Sequence, residues 1–184
     1  MTMTFVAAGV VCFVFILIYN NLVRKKNQVA NAFAGVDVLL KKRFDLIPNL
    51  TRVVKGYARH EAGVLRQITE MRTRALSGKM TEQETADMDR QVTGALGKIM
   101  AVAENYPELK ASHNFLNLQA SLNEVEEQIS AARRFYNTSV KDYNNAMETF
   151  PGNVVARLLR YRQKVFFQVD AGEALPVDTG RVLG

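Results

Sequence analysis

The stretch "RFDLIPNLTRVVKGYARHE", Arg43 to Glu61, places a proline inside a run that otherwise reads as helix and ends in a His-Glu pair. Apolar residues approach it at helical spacing, at Leu22, Val29, Phe33, Val36, Leu40 and Phe44. They leave it the same way, at Leu50, Val54, Tyr57, Val64, Ile68 and Met71. Proline removes a backbone donor, and it is tolerated in a first helical turn, where that donor has no intrahelical partner. Asp45 is a side chain of N-capping type just ahead of it. The expectation is a corner at Asp45–Pro48, with one helix ending near residue 44 and a second starting at Pro48. Sequence alone leaves open whether that corner is a full reversal or a kink.

Upstream, "MTMTFVAAGVVCFVFILIYNNLV" runs from Met1 to Val23 without a charge. As a helix it is roughly 34 Å long, enough for a hydrocarbon core of about 30 Å. No Lys or Arg precedes it and no A-x-A-like site follows, so it reads as an uncleaved anchor rather than a signal peptide. "RKK" at 24–26 follows at once. By the positive-inside rule the N-terminus then lies outside and the rest in the cytoplasm. Tyr19, Arg24, Lys25 and Lys26 are the expected membrane-interface residues. Cys12, the one cysteine, lies within the anchor, so no intrachain disulfide or multi-cysteine metal site can form. The net charge of +6 points first to anionic lipid beside "RKK", not to nucleic acid.

Downstream, "LSGK" at 76–79 ends the second helix with Gly78 as its C-terminal cap, and "TEQE" at 81–84 matches a capping box and starts a helix that "NYPEL" breaks at Pro107. A longer helix follows, with Phe115, Leu118, Leu122, Val125, Ile129, Ala132, Tyr136, Val140, Tyr143 and Met147 close to a coiled-coil heptad seam with a stutter. "FPGN" at 150–153 ends it, "VVARLLRYR" suits a short basic amphipathic helix, and "LPVDTGRVLG" reads as an irregular tail. No strand pattern persists, so the fold class is all-α. The expected domains are a transmembrane anchor at 1–23, an antiparallel helical bundle at 24–150, and a basic amphipathic segment with irregular tail at 151–184.

"YNNLVRKKNQVANAFAGVDVLLKKRFDLIPNLTRVVKGYARHE" closely resembles the opening of the LemA family. "FLNLQASLNEVEEQISAARRFYNTSVKDYNNAMETFPGNVVA" resembles its second signature, and "FF…A…PVD" its tail. The resemblance covers nearly the whole chain. It implies a single-pass bacterial inner-membrane protein with a cytoplasmic antiparallel helical bundle, and no established reaction. Phe33 stands where the family pattern has Trp, and Val36 at another apolar position; both keep an apolar surface.

Catalytic readings fail on residue count and spacing. His60-Glu61 lacks a second histidine four residues on, because position 64 is Val. The other histidine is His113. No Glu-x-x-His step of a di-iron bundle occurs. There is no Gly-rich phosphate loop and no Ser-His-Asp or Cys-His set. No catalytic, cofactor-binding or metal residues and no cofactor are therefore expected.

Glu61 falls on an apolar face and needs a partner, for which Arg43, Arg66, Arg133 and Arg134 are candidates. Glu61, Asp37 and Arg133 are accordingly expected in a structural network. Tyr136-Asn137 and Tyr143-Asn144, seven residues apart, are expected to add register-fixing hydrogen bonds. Lys41, Lys42 and Arg43 would face Arg52, Lys55 and Arg59 across the corner as a solvated basic face, with "DMDR" and "TEQE" as an acidic surface for another subunit. Gly94 and Gly97 in "TGALG" would permit close packing. Arg157, Arg160 and Arg162 are expected to face a partner. The length of the helix from residue 113 suggests that part of its stripe lacks a cover within one chain. The expected function is a membrane-anchored helical scaffold that self-associates into a homo-oligomer without catalysis. The alternative is a protein-binding adaptor in membrane or envelope stress handling. Expected partners are the bilayer, the protein itself and, in the adaptor reading, another membrane or envelope protein, with no nucleic acid.

Overall fold

The computed structural model describes residues 2–58, 62–77 and 80–167. Among these residues six helices follow in order: α1 Thr2–Tyr57, α2 Ala62–Leu76, α3 Glu82–Glu104, α4 Pro107–Lys110, α5 His113–Glu148 and α6 Gly152–Leu158. No strand occurs among the described residues.

The corner expected at Asp45–Pro48 is not there. Helix α1 runs through Pro48 without a break. Pro48 has no N–H to give the Phe44 carbonyl, which normally leaves that oxygen orphaned and costs about 3 kcal/mol. Here Arg72 Nε of α2 donates to Phe44 O at 3.1 Å. Asp45 does not cap a new helix; its carboxylate lies 3.9 Å from Arg72 Nη2. The helix continues because a side chain from the returning helix replaces the donor that proline lacks.

An unbroken α1 also fits the helix lengths better than a corner would. With a corner at residue 45, the second helix would have overrun the membrane surface. Instead α1 extends about 51 Å beyond Val23, and α5, at 36 residues, is about 54 Å long. The two run antiparallel, as Met147 packing on the Leu22 cluster, Phe33 with Tyr136 and Lys42 with Gln128 show. Most of the α5 stripe therefore has its cover within the chain: Phe115, Leu122, Val125, Ile129, Tyr136, Val140 and Tyr143 are buried, and Leu118, Ala132 and Met147 are half-buried.

Helix α2 folds back on the far half of α1, and α3 packs on α2. Thr81 caps α3, and its reciprocal bonds with Glu84 complete the capping box. The break expected at Pro107 is there, after Glu104 at the end of α3, and Pro107 also opens the short α4 behind the non-helical Tyr106. Gly94 and Gly97 do not mediate close packing: a Cβ on either would meet open space. Gly152 does, since a Cβ there would lie 2.1 Å from the Ala146 carbonyl oxygen, where α6 turns tightly off α5.

Candidate functional site

At mid-bundle the apolar stripe of α1 is interrupted by Arg43, the largest fully buried side chain of the described residues. Its guanidinium binds Asp89 of α3, Glu126 of α5 and the Thr93 hydroxyl at 3.1 Å. Arg133 of α5 binds the other Asp89 carboxylate oxygen. Two arginines and two carboxylates thus tie α1, α3 and α5 together. Burial pushes the Asp89 carboxyl above its ordinary value, and the positive charges of Arg43 and Arg133 offset part of that shift. Among the described residues neither Arg43 Nε nor Arg133 Nε has a hydrogen-bond partner. A cavity of ≈ 10 Å³ beside Asp89 and Arg133 has room for about one water.

A second polar construction lies nearer the anchor. Residues 161–167 leave α6 without helix or strand and run along α5 as a strap. Asn144 exchanges two bonds with the Lys164 backbone, both at 2.9 Å. Asn137 does the same with Phe167, at 3.0 and 2.9 Å. Tyr143 and Tyr136 hydroxyls donate to the Arg162 and Val165 carbonyls at 3.3 and 3.0 Å. The spacing explains the fit: seven helical residues advance about 10 Å, as do three residues of extended chain. Each Tyr-Asn step therefore meets the strap one repeat further along. Burial, then the nearby Glu82 carboxylate, pushes the Tyr136 hydroxyl up to about 12, so it stays a donor. Phe167 closes the site in an edge contact with Tyr136, centroids 5.0 Å apart, and Phe33 of α1 packs against both rings, at 6.3 and 6.0 Å. Lys164 Nζ reaches Glu82 of α3 at 2.6 Å.

Several expected network members lie elsewhere. Glu61, His60, Arg59, Gly78 and the tail from residue 168 fall outside the described residues. Asp37 is exposed and lines an open cavity of ≈ 370 Å³ between α1 and the α2–α3 pair, away from the charge cluster. Arg43 is not part of a solvated basic face, and Asp89 of "DMDR" is not part of an acidic surface; they are buried against each other. Both were visible as polar residues in step with an apolar stripe, Arg43 between Leu40 and Ile47 and Asp89 between Thr85 and Val92. Which acid met which arginine required the third dimension. Arg72 carried no such signal.

At the membrane end, Tyr19, Arg24 and Lys26 are exposed and Lys25 half-buried. Lys26 Nζ sits 5.1 Å over the Tyr161 ring. Arg157, Arg160 and Arg162 are exposed around α6. His113 is exposed at the start of α5. No group of three or more His, Cys, Asp or Glu side chains converges among the described residues. The chemistry on view is positional: both Asp89 oxygens are held by guanidiniums, and the Tyr-Asn amides are spent on backbone.

An all-α bundle built on one long helix, whose free end is apolar enough to cross a membrane, defines a membrane-associated helical protein. The model of the LemA family matches residues 32–179, and the chain belongs to that family. It is similar to Protein LemA of Metamycoplasma hominis, 27% identical over 95% of this chain and 80% of that protein. It is also similar to Magnetosome protein MamQ 2 of Paramagnetospirillum magneticum, 23% identical over 93% of this chain and 73% of that protein. Magnetosome protein MamQ of Magnetospirillum gryphiswaldense is 20% identical over 89% and 70% respectively.

Proposed function

We propose that this chain is a non-catalytic, membrane-anchored scaffold that self-associates. The observation that carries the reading is the state of the anchor: every described residue from Thr2 to Leu17 is exposed, with no protein cover, while the rest of α1 is packed along one face. In a bilayer that surface meets lipid and the same segment of other copies. Tyr19, Arg24, Lys25 and Lys26 form the boundary, and the charge asymmetry favours an N-terminus outside and a bundle in the cytoplasm of a bacterial inner membrane. The neutral seams and paired charges of the bundle support a rigid spacer, without a poised acid, base or nucleophile. Full-length protein in mild detergent is expected to show discrete oligomers by mass photometry; a uniform monomer overturns self-association. Stoichiometric iron or zinc in the purified protein would reopen the catalytic reading.

The exposed Arg157, Arg160 and Arg162 favour an adaptor as the second reading, in which α6 docks an acidic membrane or envelope protein. The magnetosome names of two relatives are compatible with a role in organising membrane-bound assemblies. Charge reversal at the three arginines then abolishes partner capture and leaves oligomers intact.

A further inference from the structure

Helix α6 sits beside the end of the anchor. Its Val155 and Ala156 are buried against Leu22, with Ile18 packed alongside. Those anchor residues lie about 3–9 Å on the apolar side of Arg24, the first charge. An interfacial amphipathic helix lies about 5–10 Å into the boundary between headgroups and acyl chains. The protein therefore holds α6 at that depth. The face that α6 turns away from the anchor is apolar: Val154 is 58% exposed, Leu158 70%, and Phe150, just ahead of the helix, 78%. Arg157, Arg160 and Arg162 flank this face, and Lys26 and Tyr161 stand together beside it.

The helix end adds an independent observation. Arg160 N–H donates to Arg157 O and Tyr161 N–H to Ala156 O, the paired bonds of a Schellman ending. The residue at its left-handed position is ordinarily glycine. Here it is Arg160, with φ 54°. The chain keeps a cation at the lipid boundary in a backbone conformation that disfavours a side chain.

We infer that α6 is a second membrane contact, lying in the plane of the leaflet with Phe150, Val154 and Leu158 among acyl chains and Arg157, Arg160 and Arg162 among anionic headgroups. This rests on reading residues 1–23 as a membrane anchor. A single transmembrane helix leaves a rod free to tilt and rotate about its own axis; a second contact, joined to the strap at residues 161–167, fixes both.

The sequence has no tryptophan, so one introduced indole reports one place. Full-length Val14→Trp, Leu158→Trp and Leu116→Trp proteins are reconstituted into phosphatidylcholine–phosphatidylglycerol vesicles with brominated acyl chains. Val14→Trp tests the anchor; Leu116, exposed at the far end of α5, is the aqueous control. The expected result is strong quenching at position 14 and a blue-shifted emission at 158 quenched at least about twofold more than at 116. Quenching at 14 with position 158 no better than 116 overturns the α6 contact and leaves the anchor standing. No quenching at 14 overturns the anchor reading itself. A blue shift at 158 without quenching by bromine means that protein, such as a second copy, covers α6, and also overturns the inference. Arg160→Gly in the Leu158→Trp background should raise the thermal midpoint and weaken quenching in anionic vesicles; unchanged quenching removes Arg160 from the contact.

Discussion

At mid-bundle, Arg43, Asp89, Glu126 and Arg133 join three helices through buried charge. Nearer the anchor, Tyr136, Asn137, Tyr143 and Asn144 hold a segment with no secondary structure through neutral hydrogen bonds. The difference follows from what each region must satisfy. Helices already satisfy their own backbones, so only side chains remain to choose their register, and a buried charge tolerates few alternatives. The strap has unpaired N–H and C=O groups, and asparagine, carrying both a donor and an acceptor, completes them as a neighbouring strand would.

The largest effect is expected at the charged region. Asp89→Ala removes the buried carboxylate that two guanidiniums share, leaving both to the half-exposed Glu126, and should cost about 3–5 kcal/mol, read as a fall in the thermal midpoint of the full chain in detergent. A cost equal to that of an exposed carboxylate such as Asp37→Ala would end the distinction between the regions. The pH dependence sharpens it. Because the folded Asp89 carboxyl is raised, the folded state binds its proton more tightly than the unfolded chain. Stability from this group is fully present below the ordinary value of 3.8 and is lost as pH rises through the folded value. Asp89→Asn removes that slope, so the wild type's advantage over it should widen as pH falls toward 3.8.

Smaller and more local changes are expected at the clamp. Asn137→Ala and Asn144→Ala each release one strap N–H and one carbonyl, at about 1–3 kcal/mol. Trypsin should then cut at Arg162 and Lys164 sooner, with the helical content retained. Loss of the whole bundle in parallel with the strap would show that the two regions unfold as one.

Arg72 stands between the two cases, a charged donor serving one backbone carbonyl. Arg72→Met should cost about 1–2 kcal/mol. In a Pro48→Ala background the alanine N–H can serve Phe44 O, so the same substitution should cost less. Strictly additive midpoints in that double-mutant cycle would remove the explanation given for the unbroken helix.

The two prolines teach why part of the fold was illegible. Pro107 and Pro48 both sit in runs of helical character; the sequence predicts a helix start at Pro48 and a helix break at Pro107. Tyr106 ahead of Pro107 is non-helical and a new helix begins. Ahead of Pro48 the helix goes on, because Arg72, 28 positions beyond Phe44, supplies the missing donor. A signal that far along the chain has no local trace. Within α1 the same contrast appears between its halves. Thr2–Leu17 is apolar on every side and wholly exposed, whereas Leu22–Val54 is apolar every three or four residues and buried there. That difference is periodic and was readable directly.

By itself the sequence determined the all-α class, the apolar leader with its basic collar, the capping box at Thr81, the stripe of α5 and the short helix after Gly152. Each of these is set by neighbours within one or two turns, or by composition over a longer window. Only the tertiary structure decided that α1 passes through Pro48, that Arg43 meets Asp89, that the Tyr-Asn steps grip a strap, and that α6 lies level with Ile18 and Leu22. Each of those depends on which group arrives from elsewhere in the chain to satisfy a carbonyl, a charge or an apolar face.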